Sequence, residues 1–168
     1  MDIRDAFFDE LYEITSHDKN LMFLTADMGA FGLNKFKRDF PKQYINVGVA
    51  EQNLISVGAG LALSGKRVFL YAIAAFLIYR ALDQIRIDIC EMNLPVTLIG
   101  AGPGLTYHAE GPTHHALYDD IIISMFPNIK VFTPRTPEDA QTVMILAYLS
   151  KSPVYIRLGR GEVYDEFY

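Results

Sequence analysis

Ile45-Asn46-Val47-Gly48-Val49-Ala50-Glu51-Gln52-Asn53 is the stretch on which the fold turns. It opens as a short β-branched strand, loosens at Gly48 and carries a carboxylate, Glu51, onto the first turn of the next element. From Gln52 to Ser64 the residues are small and helix-compatible, rich in alanine and glycine. A strand that runs straight into a helix puts the junction at the carboxyl edge of a sheet, where open α/β sheets bind ligands. An acid at such a junction has two readings. It caps the helix, because exposed amides and the macrodipole favour a carboxylate at the amino end, or it serves a site on the rim.

Outward from this junction, strands and helices alternate. Apolar residues at helical spacing (Phe7, Leu11, Ile14) predict a helix over Asp2 to Ser16. Leu21 to Ala26 is a continuous apolar run, as expected of a strand covered on both faces. A helix over Leu33 to Phe40 should stop before Pro41. Beyond the junction, Arg67 to Ile73, Pro95 to Gly100, Lys130 to Thr133 and Pro153 to Leu158 read as four more strands. Phe76 to Asn93 reads as one long helix with Ile78, Leu82, Ile85, Ile89 and Met92 on its apolar face. His114 to Met125 is expected to be helical. Thr136-Pro137-Glu138-Asp139 starts a helix by composition, running to about Leu149. The pattern predicts an α/β fold: a three-layer, doubly wound sheet of about six parallel strands with helices on both faces. Residues 1–160 are expected to form this domain, with 161–168, polar and acidic, beginning a connector.

The totals narrow the function. The chain has 168 residues, enough for one domain with a real core, and a net charge of −5 with no basic run. No nucleic-acid partner is expected, and no apolar run reaches the length of a membrane span. One cysteine, Cys90, cannot form an internal disulfide, and Met1 leads into charged residues rather than a signal peptide. A cytoplasmic protein is the simplest expectation.

The loops after the strands converge on one rim and gather Asp27, Glu51, Ala74 to Arg80, Gly102 to His115, Pro134-Arg135, and Arg157 to Arg160. Each has a plain structural alternative. Phe76 suits a core as well as a stacking platform, Gly102-Pro103-Gly104 suits a connector, and His114-His115 suits a helix start. There is no metal-ligand spacing, Gly-x-Ser-x-Gly elbow, Walker loop or Gly-x-Gly-x-x-Gly fingerprint.

Together, however, Asn46-Val-Gly-Val-Ala-Glu-Gln-Asn53, Phe76-Leu77-x-x-Arg80-Ala81-x-Asp83-Gln84-Ile85-Arg86, Asn93-Leu-Pro-Val96, Gly111-Pro-Thr-His114 and Ile156-Arg-Leu-Gly-Arg-Gly161 carry a family resemblance. In order and spacing, over nearly the whole chain, they resemble the pyrimidine-binding domain of transketolase-like thiamine diphosphate enzymes. The resemblance implies that Glu51 hydrogen-bonds a ring nitrogen of the aminopyrimidine and promotes its imino tautomer. It implies that Phe76 stacks on that ring, that Asp27 and Arg80 lie at the cofactor, and that His114 faces substrate hydroxyl or carbonyl groups. His108, Glu110 and Arg160 are the further substrate-binding candidates. Glu51 and His114 are the catalytic ones.

The chain also departs from the family. Glu110 stands where an aspartate usually precedes Gly-Pro-Thr-His, Gly102 where a substrate-binding histidine or arginine is expected, and Phe31 where some members carry a phosphate-binding serine. Of three expected phosphate contacts only Arg160 remains, which puts a phosphorylated ketose in question. Nor is there a Gly-Asp-Gly motif, which in the family holds the diphosphate through a divalent metal. The resemblance therefore implies a homodimer or a heteromer with a diphosphate-binding transketolase subunit, bearing Mg2+ or Ca2+, and a sugar or keto substrate. Ser56, Gly60 and Ser64, with Ala59 beside them, are the small residues expected to let helices cross closely at that interface. Two other expectations stand beside it: a non-catalytic assembly module, and a β-type subunit of a 2-oxoacid dehydrogenase.

Overall fold

The computed structural model describes residues 2–159. Its centre is a six-stranded, wholly parallel sheet in the order β2-β1-β3-β4-β6-β5. The strands are β1 (Leu21–Thr25), β2 (Tyr44–Asn46), β3 (Arg67–Ile73), β4 (Val96–Ala101), β5 (Lys130–Phe132) and β6 (Val154–Leu158). All six fall where the sequence pattern places them, within two residues at each end. Successive side chains leave a strand on opposite faces, and the chain uses both. Met22, Leu24, Val68, Leu70 and Ala72 enter one core, while Leu21, Phe23, Phe69 and Tyr71 enter the other.

Two helical layers cover these faces. On one lie α1 (Ile3–His17), α2 (Phe31–Asp39) and α6 (Pro137–Leu149), packing Phe7, Phe8, Leu11, Phe36 and Met144. On the other lie α3 (Glu51–Leu63), the helical segment 76–91 and α5 (Asp119–Ser124). The α6 start is as composition predicts: Thr136 Oγ1 accepts from the Asp139 amide, and Asp139 accepts from the Thr136 amide, a capping box. Helix α3 lies close on β3 because Gly58 has no side chain, and a Cβ there would meet Leu70.

Two expectations need correction. The segment 76–91 is not a regular α-helix: wide π turns at Phe76–Arg80 and Ile85–Glu91 flank a single α turn (α4, Leu82–Gln84). Each wide turn adds residues per revolution, so the apolar stripe drifts. Ile78, Ile85 and Ile89 stay buried while Met92 is turned to solvent. Nor is His114–Met125 one helix. His114 closes a 3₁₀ turn, Pro112–His114, and Ala116 then pairs antiparallel with Gly104 through two amide–carbonyl bonds of 2.8 and 2.9 Å. That exchange holds 115–116 extended, and α5 begins only at Asp119.

A buried ionic cluster locks this corner. Asp119 is fully buried and accepts from the Tyr155 hydroxyl and from Arg157 Nε and Nη2, both at 3.0 Å. Burial, then the adjacent Asp119 carboxylate, pushes the Tyr155 hydroxyl well above its ordinary pKa, so it remains a donor. Removing the acid leaves the buried Tyr155 phenol without its acceptor and the Arg157 guanidinium with Asp120 alone, at 3.2 Å. Asp119→Ala is expected to lower unfolding free energy by about 3–5 kcal/mol, measured by urea denaturation. A loss under about 1 kcal/mol contradicts the assignment of this cluster as the corner's anchor.

Candidate active site

The sheet order reverses between β1 and β3. The loop after β1 leads towards β2, and α3 then crosses back to β3. Ligand crevices in parallel sheets open at such points, and four of the sequence-predicted residues, Glu51, Phe76, Arg80 and His114, come into contact at this rim. The strand-to-helix junction is built by an asparagine. Asn46 Oδ1 accepts from the amides of Asp27 and Gly48, each at 3.0 Å, and Asn46 Nδ2 donates to Asp27 Oδ1 at 3.1 Å. Asp27 and Gly48 both have positive φ, 52° and 77°. Glycine meets that demand at Gly48 without strain, whereas Asp27 adopts it with its side chain tied to Asn46. Asn46 thus stitches the ends of β1 and β2 and sets the turn that delivers Glu51. Sequence reasoning gave it no role. Its place in the strand, immediately before the Gly48 turn, was the available signal.

Glu51 opens α3, and its side chain is only 3% exposed. The residue before it, Ala50, provides no side-chain cap. The carboxylate reaches instead to Arg80, whose Nη1 donates to Oε2 at 2.6 Å. A buried charge needs such a partner, and Arg80 supplies it. The Arg80 guanidinium also lies 4.4 Å from the centre of the Phe76 ring. Phe76 is half-buried and meets the His114 ring at 4.8 Å in an edge-on contact. His114 in turn has Thr113 Oγ1 3.0 Å from its Nδ1 and the Tyr107 ring at 6.3 Å. Glu51, Arg80, Phe76 and His114 therefore form one continuous chain of contacts. The first wide turn of 76–91 carries both Phe76 and Arg80 and brings the arginine under Glu51, a setting in which such turns recur at functional sites.

The remaining candidates are less closely joined. Asp27 is exposed and reaches the site only through Asn46 and the Gly48 turn. His108 and Glu110 are exposed on a separate 3₁₀ turn, His108–Glu110, of the loop that carries His114. Arg160 and the connector expected over 161–168 lie outside the described residues. Gly102, where the resemblance led one to expect a longer polar side chain, is buried with φ +68°, and a Cβ there would land in the Tyr107 ring. Tyr107 fills that space, a substitution invisible without the loop's path. Phe31 begins α2 and is among the most exposed apolar residues, at 87%.

The class is a parallel, doubly wound α/β domain that holds a buried acid, an arginine, an aromatic ring and a histidine in contact at its carboxyl rim. Comparison with known proteins gives the class a family. Residues 1–165 match the family described as Transketolase, pyrimidine binding domain, and this chain belongs to it. A subunit of the apulose-4-phosphate transketolase of Phocaeicola vulgatus is 34% identical over 98% of this chain and 53% of its own length. The 6-deoxy-6-sulfo-D-fructose transketolase subunit SqwH of a Clostridium species is 35% identical over 94% of this chain and 49% of its own. A solved structure described as a split gene transketolase, inactive beta4 tetramer, superposes with a TM-score of 0.85 at 32% identity, over 100% of this chain and 54% of that one. The chain thus spans about half the length of these subunits.

The packing at Gly102 gives a direct test. Gly102→Ala forces a side chain into the left-handed region and into Tyr107, and should cost about 1–3 kcal/mol in thermal or urea unfolding. It should also shift the His114 ring resonances through Tyr107. A fully stable variant with an unchanged His114 spectrum contradicts the packing described.

Proposed function

We propose that this chain supplies the aminopyrimidine half of a thiamine diphosphate site and acts as the pyrimidine-binding part of a transketolase-type ketol transferase. The observation that carries this is Glu51, a carboxylate buried at the carboxyl rim and joined through Arg80 to an aromatic face. A buried acid and a half-buried phenyl ring fit a flat, nitrogen-bearing heterocycle. Thiamine diphosphate supplies, when bound, the carbon centre that carries the transferred unit. Glu51 holds a proton at the pyrimidine ring nitrogen. Phe76 packs against the ring plane and excludes water, while His114, edge-on to Phe76, is placed to hydrogen-bond a substrate hydroxyl or carbonyl.

The diphosphate and its Mg2+ or Ca2+ belong, on this reading, to a partner domain or subunit, in a heteromer or across a homodimer. Exposed apolar side chains around the rim support a covering partner: Phe31 after β1, Val49 beside Glu51 and Tyr118 before α5. The exposed Ser56 and Gly60 of α3 leave room for close approach of another helix. The matched relatives are named for sugar substrates, which supports a sugar or keto compound here.

Combining the chain with a diphosphate-domain transketolase subunit and thiamine diphosphate should give ketol transfer. Glu51→Gln should lower kcat by about 10²–10⁴-fold, and Phe76→Ala should weaken coenzyme binding about tenfold. Undiminished turnover by Glu51→Gln removes the proposal. Calorimetry showing no heat with thiamine diphosphate, alone or with the partner, favours a non-catalytic assembly role instead.

A further inference from the structure

Arg80 engages two surfaces at once. Its Nη1 bonds Glu51 Oε2 at 2.6 Å, and its guanidinium lies over the Phe76 ring at 4.4 Å. These are the two surfaces an aminopyrimidine needs on the reading above: a carboxylate for a ring nitrogen and a flat face for the ring. The chemistry matches as well. A guanidinium is a planar N–C–N unit that donates N–H from its edge and stacks through its face, and the amino-substituted pyrimidine edge is built on the same N–C–N pattern. Lysine or histidine at position 80 could pair the acid but could not reproduce that planar fork. The arginine is also free to leave: its side chain is 45% exposed, so rotation outward returns the cation to water rather than stranding it.

We propose that Arg80 is an intramolecular stand-in for the aminopyrimidine. Coenzyme binding is then an exchange in which the heterocycle displaces the guanidinium from Glu51 and Phe76. The proposal rests on the function given above and adds a regulation of the same site. The ion pair keeps the buried acid matched, and it scales the apparent affinity down to the fraction of time the arginine is away. An Arg80 that instead stayed put and contacted the coenzyme makes the opposite prediction, since its loss would weaken binding.

The isolated chain can be tested without a partner or turnover, by titrating 4-amino-5-hydroxymethyl-2-methylpyrimidine and following the Phe76 ring protons by NMR. Arg80→Ala should bind this fragment about tenfold more tightly than the parent chain, with Arg80→Lys gaining less. Adding Glu51→Gln to Arg80→Ala should erase the gain. In a second readout, millimolar guanidinium chloride should raise the melting temperature of Arg80→Ala, but not of the parent, relative to matched sodium chloride. If Arg80→Ala does not fold, Arg80→Lys alone decides. Weaker or unchanged binding in the Arg80 variants, with binding still lost in Glu51→Gln, overturns the exchange and leaves the proposed function standing. Binding indifferent to Glu51→Gln removes the function itself. No binding by any variant overturns the exchange, because removing the competitor should have exposed the site.

Discussion

A carboxylate held almost out of water at the start of a helix is the constraint around which this domain is arranged. Burying an unpartnered charge costs several kcal/mol or more, so Glu51 can stay where it is only if something answers it. Arg80 does so at 2.6 Å, and its own stem is positioned by a wide helical turn that also carries Phe76. The acid's place is set from the other side by Asn46, whose amide ties the ends of β1 and β2 and forms the Gly48 turn. Strand, turn, acid, arginine and aromatic ring are therefore joined by one series of contacts.

The two-layer packing explains why that unit is stable enough to hold a charge. Parallel strands buried on both faces, with Met22 and Leu24 on one side and Leu21 and Phe23 on the other, make a stiff platform whose carboxyl rim cannot shift far. At the far corner, Asp119 with Arg157 and Tyr155 fixes the segment leading from His114 into α5. Two anchored sides leave the loop from Gly102 to His114 to carry variation. There Tyr107 packs against a glycine where the family resemblance led one to expect a longer polar side chain. Such a change lies beside His114 and leaves the Glu51–Arg80 pair untouched.

Much of this was legible in the residues. Strand positions followed from continuous apolar runs such as 21–26, because a parallel strand covered on both faces is buried at successive residues. The α6 start followed from capping chemistry at Thr136 and Asp139. Glu51, Phe76 and His114 were found through their motifs, and they do converge. What was hidden depended on geometry that composition does not encode. Wide turns in 76–91 leave no sequence period of their own, so Met92 was misplaced. The Gly104–Ala116 exchange is a contact between distant residues, and it overrode the helical look of 114–118. The pairing of Arg80 with Glu51 spans 29 positions, and sequence reasoning put both at a cofactor without joining them.

The central claim is that Glu51 grips a coenzyme heterocycle, and a crystal structure of the chain with a diphosphate-domain subunit and thiamine diphosphate tests it most directly. The account predicts a Glu51 carboxylate oxygen at about 2.6–3.2 Å from a pyrimidine ring nitrogen, with Phe76 against the ring plane. A bound coenzyme whose pyrimidine lies elsewhere, beyond hydrogen-bonding reach of Glu51, contradicts it.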